Sequence, residues 1–228
     1  MIIETKICGL TSIEDARLAE EAGADWLGVV VEVSYSRRSR TLSEAKAIFE
    51  AVSTSTVALL MEPELEFLLR VQEELNPDAF QLVGEDSPDF IAKAREVLPE
   101  EVALWKSIHL PAEAGMEFDL FALIERAREY EQASADRFVL DTRVTVGGQT
   151  AYGGTGQVAD WELAAEVVRQ VDLSVLLAGG LSPDNIAEAI QKVRPRGVDV
   201  ASGVESEPGI KSPEKVRAFI QAARGALG

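Results

Sequence analysis

The sequence predicts an α/β chain closed as a (β/α)8 barrel. Three observations carry that expectation. Short β-branched runs alternate with longer amphipathic stretches along the whole chain. Eight such units can be counted. Spread over 228 residues they give about 28 residues per unit, a typical strand–helix repeat. The alternation alone also suits an open doubly wound sheet, but eight complete repeats favour closure. No linker or low-complexity segment interrupts them, so one barrel domain is expected over residues 1–228.

The units run in order. A first strand is read over 2–8 and a helix over 12–22. Strand two covers 25–31, and Ser43 is a plausible cap for a helix to 52. Strand three covers 56–60, with Pro63 in the first turn of a helix to 75. Strand four covers 78–83 and its helix 88–97; strand five covers 102–108 and its helix 118–132. Strand six covers 137–140. An irregular stretch, 142–159, then precedes a helix over 160–170, and a loop of that size inside a compact domain is usually functional. Strand seven covers 174–178, with Ser182 and Pro183 opening a helix to 193. Strand eight covers 197–201, with Ser212 and Pro213 opening a last helix to 224. The resulting architecture is that of a TIM barrel, whose active sites lie at the C-terminal ends of the strands.

Composition narrows the function. Lys and Arg number 22 against 39 Asp and Glu, a net charge of −17. Such a field repels nucleic acid and anionic membranes, so neither is an expected partner, and an anionic substrate needs a locally positive site. One cysteine, Cys8, allows no intramolecular disulfide, and one histidine, His109, makes a histidine metal site improbable, so no metal is expected. No signal-like or membrane-length apolar run is present, which suits a reducing, cytoplasmic location. The expected partner is a small phosphorylated molecule, with the chain a monomer or homodimer.

Polar residues inside the strands carry the sharper signal. Outward strand faces of a barrel pack on helices and are usually apolar, so Lys6, Cys8, Gln81, Lys106, Asp141 and Asp199 are expected inside the barrel or at strand ends. Strands eight and one are neighbours in a closed barrel, so Lys6 and Asp199 could form an internal ion pair. Cys8 and Asp141 end their strands, where barrel chemistry is done. Glycine turns follow strands seven and eight, at Gly179–Gly180 and Ser202–Gly203. Barrels often bind phosphate at that place, through backbone N–H groups.

Read together, these segments resemble the phosphoribosylanthranilate isomerase family. The stretches that carry the resemblance are Lys6-Ile7-Cys8-Gly9-Leu10, Gly23-Ala24-Asp25 with Gly28, and Gln81-Leu82 with Gly84-Glu85. Leu140-Asp141-Thr142, Tyr152-Gly153-Gly154-Thr155-Gly156 and Ala178-Gly179-Gly180-Leu181 follow. Val198-Asp199-Val200, Ser202-Gly203-Val204-Glu205 and Lys211 complete it. Val83 stands where that family usually has histidine. The arginine loop after strand two reads Ser36-Arg37-Arg38-Ser39-Arg40, with irregular spacing.

The resemblance implies a cofactor-free Amadori rearrangement of N-(5-phosphoribosyl)anthranilate in tryptophan biosynthesis. Asp141 matches the family's general acid and Cys8 its general base. Lys6, Gln81 and Asp199 would bind substrate. Arg40, chosen over Arg37 and Arg38 by its distance to Leu42-Ser43, would meet the anthranilate carboxylate. The amides of Gly179, Gly180, Ser202 and Gly203 would take the phosphate. The acid's pKa should be raised by burial and the base's lowered, with Lys6 as the nearby cation. Two alternatives stand beside this reading. A histidine-pathway barrel isomerase would typically use an aspartate where Cys8 stands, and a non-catalytic sugar-phosphate binder would not need both Cys8 and Asp141.

Overall fold

A computed structural model describes residues 2–111, 118–146, 149–152 and 160–227, with only the backbone given for 143–146 and 149–152. Eight parallel strands form the barrel: β1 (Glu4–Ile7), β2 (Trp26–Val31), β3 (Ser55–Leu60), β4 (Ala79–Leu82), β5 (Ala103–Pro111), β6 (Arg137–Val146), β7 (Ser174–Leu177) and β8 (Gly197–Val200). Each pairs with the next, and β1 pairs with both β2 and β8, so the sheet closes. Outside it lie α1 (Ile13–Glu21), α2 (Leu42–Phe49), α3 (Leu65–Leu75), α4 (Pro88–Val97), α5 (Leu120–Gln132), α6 (Trp161–Gln170), α7 (Ile186–Val193) and α8 (Pro213–Gly225). No described helix is long and apolar enough to cross a membrane.

Several helix starts differ from the sequence reading. Helix α2 is capped by Thr41, not Ser43: Thr41 accepts from the Glu44 amide, and Glu44 reaches back to the Thr41 amide, a full capping box. Pro63 lies ahead of α3, and α7 starts at Ile186 after Asn185 rather than at Pro183. The starts read for α1, α4 and α8 hold, and the structure caps their first turns with Ser12, Ser87 and Ser212. The supposed irregular stretch after strand six is partly sheet: β6 continues to Val146 and turns back antiparallel through Gln149–Tyr152. Gly153 to Gly156, the glycine-rich part of that stretch, lies outside the described residues.

Two apolar layers result. The larger lies between the outward strand faces and the helices. The smaller fills the barrel with Val57, Leu59, Ala79, Trp105, Val139 and Leu176, beneath Cys8 and Ala178. Parity along β4 and β5 decides one reversal. Gln81 lies opposite Trp105 in register, and the Gln81 amide donates to the Ser107 hydroxyl at 3.0 Å. Trp105 and Ser107 therefore point inward, and Lys106, expected inside, points out against Tyr130 of α5. Its buried ammonium donates to the carbonyls of Leu82, Gly84 and Ser107 and lies 3.5 Å from Asp86.

The N-terminal end of the barrel is plugged. Trp26 and Trp105 meet edge to face, with ring centroids 4.7 Å apart. The Arg137 guanidinium stacks over both rings and donates to Glu4 at 2.7 Å, and Glu4 also takes the Trp26 indole N–H. This end is packing; the open end lies at the strand C-termini, as barrel enzymes require.

Candidate active site

An open-mouthed cavity of about 870 Å³ lies over the C-terminal ends of the strands. Its wall brings together Cys8, Gln81, Asp141, Gly179, Gly180, Asp199, Ser202 and Gly203. Eight of the ten residues to which the sequence reading gives a site role therefore share one chamber. Lys6 sits beneath it, and Arg40 is not among the lining residues.

The floor is the Lys6–Asp199 pair. The two residues face each other in register between β1 and β8, and the Lys6 ammonium donates to Asp199 Oδ2 at 2.9 Å. Lys6 is fully buried. Burial works against its charge, but Asp199 and Cys8 beside it hold the ammonium above its ordinary pKa. The internal ion pair foreseen from strand adjacency is thus present. It leaves Asp199 Oδ1 buried and without a protein partner among the described residues, an acceptor available to a bound hydroxyl. The Gln81 carbonyl oxygen is in the same state. Gly28, on the neighbouring strand, makes room for this floor: a Cβ there would stand 3.0 Å from Cys8 Sγ and 3.1 Å from Lys6 Cε.

Asp141 sits on the inner face of β6, in register with His109 of β5. Burial pushes its carboxyl up to about 7, against the pull of the Thr142 amide, which donates to Oδ1 at 2.7 Å; the Asp199 charge pushes the same way as burial. A carboxylic acid near 7 can hold a proton at neutral pH and deliver it, as foreseen. The expectation for Cys8 is overturned. Burial pushes its thiol above the ordinary value, and Lys6, whose charge is already engaged by Asp199, only partly offsets that.

The opposite wall is formed by two glycine turns. Gly179 and Gly180 both adopt left-handed backbone, with φ of 84° and 65°. A Cβ on Gly179 would strike the Thr142 side chain. Asn185 holds the turn, accepting from the Ser182 amide at 2.8 Å and donating to the Gly180 carbonyl at 3.0 Å. Ser202–Val204 forms a short 3₁₀ turn after β8, and a Cβ on Gly203 would strike the Leu181 carbonyl. Gly203 is therefore required by the two turns packing together, so a valine there disrupts the fold before it crowds any ligand. The amides of Gly180 and Gly203 donate to no acceptor among the described residues.

Sequence reasoning missed the network that ties the mouth together. Arg38, not Arg40, lines the cavity. Its Nε and Nη2 donate to the two Glu205 oxygens, both at 2.7 Å, and Lys211 donates to Glu205 at 3.1 Å. Burial opposes the charge on Glu205, yet Arg38 and Lys211 hold the carboxylate below its ordinary range. The loop after β2 is thereby fastened to the turn after β8. The sequence offered Glu205 and Lys211 as parts of a matching pattern, without a role, and the irregular arginine spacing hid which guanidinium faces inward. Arg40 lies instead in a two-residue strand, Ser39–Arg40, alongside β2.

Comparison with known proteins places this geometry in context. Residues 5–222 match the family model described as N-(5'phosphoribosyl)anthranilate (PRA) isomerase. The N-(5'-phosphoribosyl)anthranilate isomerases of Methanopyrus kandleri and Methanocella arvoryzae are each 39% identical to the chain. The first match covers 98% of this chain and 99% of the relative; the second covers 96% and 97%. The crystal structure of phosphoribosyl anthranilate isomerase from Thermotoga maritima superposes with a TM-score of 0.81 at 30% identity, covering 98% of this chain and all of that one. A solved complex of such an isomerase with reduced 1-(o-carboxyphenylamino)-1-deoxyribulose 5-phosphate gives a TM-score of 0.79 at 29% identity, with 98% and 100% of the two chains covered.

Proposed function

Because the chain belongs to the N-(5'-phosphoribosyl)anthranilate isomerase family, we infer that its cavity carries out the Amadori rearrangement of N-(5-phosphoribosyl)anthranilate to 1-(2-carboxyphenylamino)-1-deoxyribulose 5-phosphate, with Asp141 as general acid and Cys8 as general base. The observation that carries the assignment is the pairing of a carboxyl raised to about 7 with a thiol in one chamber whose far wall offers unengaged backbone amides.

The steps follow from those groups. The ribose phosphate docks on the amides of Gly180 and Gly203, a neutral way to hold an anion in a protein of net charge −17. Asp141 gives its proton to the ribose ring oxygen, the C1–O bond breaks, and the anilino nitrogen lone pair forms the iminium. Cys8 as thiolate removes the C2 proton, and those electrons neutralise the iminium to an enolamine, which tautomerises to the ketone. The iminium is its own electron sink, so the chemistry needs no metal and no organic cofactor. Its positive charge beside Cys8 also favours the thiolate that burial otherwise opposes. Asp199 Oδ1 and the Gln81 carbonyl are the acceptors for sugar hydroxyls. A reaction that depends on a free thiol suits a reducing, cytoplasmic compartment.

The reduced product, 1-(o-carboxyphenylamino)-1-deoxyribulose 5-phosphate with its ketone reduced, tests the binding half of this reading by titration. It should bind competitively with phosphoribosylanthranilate, and the aminoimidazole carboxamide ribotide of the histidine-pathway isomerases should not displace it. Displacement by the ribotide, or no binding of the reduced product, contradicts the assignment.

We propose that the aminobenzoate carboxylate meets Arg38, which lines the cavity and donates to Glu205 through Nε and Nη2. Arg38→Ala should raise KM by roughly tenfold or more, the scale of one charge-assisted hydrogen bond. Arg40→Ala should leave KM within about twofold. Steady-state kinetics of the two variants decide between them, and the reverse order of effects restores Arg40.

A further inference from the structure

Three charged side chains from distant parts of the chain meet at one corner of the cavity mouth. Arg38 comes from the loop after β2, and Glu205 and Lys211 come from a short antiparallel ribbon after β8, Glu205–Glu207 with Ile210–Lys211. Glu205 and Lys211 are paired in register, so the ribbon itself sets them side by side. The Glu205 carboxylate and the Lys211 ammonium are buried, and most of the Arg38 side chain is covered. Stability does not account for such a cluster: buried charges lose their hydration, and an apolar trio of the same volume often holds a fold as well or better. The cluster also sits beside the reacting groups. The Arg38 stem crosses Gly9, the residue after Cys8, where the backbone is left-handed at φ 67° and an added Cβ would stand 2.5 Å from Arg38 Cδ.

The ribbon is the fixed side of this corner. The Lys211 amide donates to Asp15 of α1 at 3.1 Å, the Ser212 amide to the Val204 carbonyl at 2.9 Å, and the Lys215 ammonium of α8 to the Glu205 carbonyl at 2.7 Å. The Lys211 ammonium also donates to the Ala201 carbonyl, just past β8, at 3.0 Å. Arg38 is the adjustable side, a long side chain on a loop, and an untethered guanidinium of that kind keeps many rotamers. Glu205 removes that freedom by taking Nε and Nη2 together, one on each oxygen. A carboxylate so close to the site would by itself repel a substrate carboxylate. Lys211 offsets it: with two cations to one anion, the corner stays positive in a protein of net charge −17.

We propose that Glu205 is a positioning residue for substrate recognition, which locks the Arg38 guanidinium in the orientation that meets the aminobenzoate carboxylate. The proposal rests on the isomerase reading of the cavity and on the place given there to Arg38. Glu205 itself touches no substrate atom; it acts through Arg38, and its effect belongs to binding rather than to proton transfer.

The test is a double-mutant cycle in steady-state kinetics: wild type, Glu205→Gln, Arg38→Ala and the double variant, with phosphoribosylanthranilate as substrate and inorganic phosphate as competitive inhibitor. Glu205→Gln should raise KM about three- to tenfold, the scale of the entropy of ordering one long side chain on binding. Its kcat should stay within about threefold, since the lost binding is shared by ground and transition states. In the Arg38→Ala background the same substitution should change KM by less than about twofold. The inhibition constant of inorganic phosphate should be alike in wild type and Glu205→Gln, because the backbone bonds that hold the turn after β8 survive the substitution. A KM left unchanged by Glu205→Gln, while Arg38→Ala raises it, overturns the proposal alone. An equal rise in both backgrounds, or weaker phosphate inhibition, also overturns it, because Glu205 would then support the whole mouth. An unchanged KM in Arg38→Ala overturns the place given to Arg38 and the proposal with it, and absence of turnover by wild type overturns the isomerase reading as well. Should Glu205→Gln fail to fold, Glu205→Asp carries the same comparison, since it keeps a charge between the two cations on a stem too short to hold the guanidinium in the same fork.

Discussion

Asp141→Asn is expected to lower kcat and kcat/KM together by about 10²–10⁴-fold, the usual contribution of a positioned general acid. Asparagine is nearly isosteric and still accepts a hydrogen bond from the Thr142 amide, but it has no proton to give the ribose ring oxygen. Binding of the reduced product should stay near native, because the phosphate wall and Arg38 are untouched. The same substitution has a second signature with a definite sign. Burial raises the Asp141 carboxyl from its ordinary 3.8 to about 7, so the fold favours the neutral form. The cost of holding the charged form is absent below about pH 4, grows between pH 4 and 7, and is complete above 7. Removing the ionisable group should therefore stabilise the protein at pH 8 by roughly 2–4 kcal/mol and hardly at all at pH 4. Denaturant unfolding at the two pH values reads the difference. A variant that keeps kcat, or gains the same stability at both pH values, refutes the role given to the carboxyl.

Cys8→Ser should cost a comparable 10²–10⁴-fold in kcat/KM, because a serine hydroxyl is too weak an acid to supply the base that Cys8 supplies. Its effect on stability should be small, since the two side chains differ by one atom in a chamber already lined with polar groups. The pH profile separates base from packing. In the free enzyme Asp141 titrates near 7 and Cys8 above its ordinary value near 9. The productive arrangement needs the single proton on Asp141 and none on Cys8. Only a small minority of molecules holds it that way between those two titrations, because Cys8 gives up its proton less readily than Asp141, and the fraction is constant across the interval. Wild-type kcat/KM should therefore rise up to about pH 7, run level, and fall only above the titration of Cys8. In Cys8→Ser, with water as the residual base, activity should follow the protonation of Asp141 and decline from about pH 7 upward. Native kcat in the serine variant at pH 7 removes Cys8 from the mechanism.

Much of this site was legible before any coordinates. The residues that broke the apolar alternation of the strands were the signal: Cys8, Gln81, Asp141 and Asp199 all reach one chamber, and the Lys6–Asp199 pair follows from nothing more than strands one and eight being neighbours. The glycine turns were legible because left-handed backbone and close approach leave few other choices. Lys106 failed because alternation alone does not say which parity faces in; in β5 the large Trp105 takes the barrel interior, and the lysine is satisfied outside by carbonyls. Cys8 failed in its titration, since proximity of a lysine in sequence cannot show that its charge is already engaged. Arg38 was hidden for a related reason. Its partner Glu205 lies 167 residues away and only the closed barrel brings the two loops together.

The most direct measurement is the fluorescence of phosphoribosylanthranilate mixed with the purified protein at pH 7. The signal should be lost at a rate proportional to wild-type enzyme concentration, and Asp141→Asn and Cys8→Ser at equal concentration should each be slower by two orders of magnitude or more. Fluorescence that persists with wild type, or that decays as fast with either variant, contradicts the account.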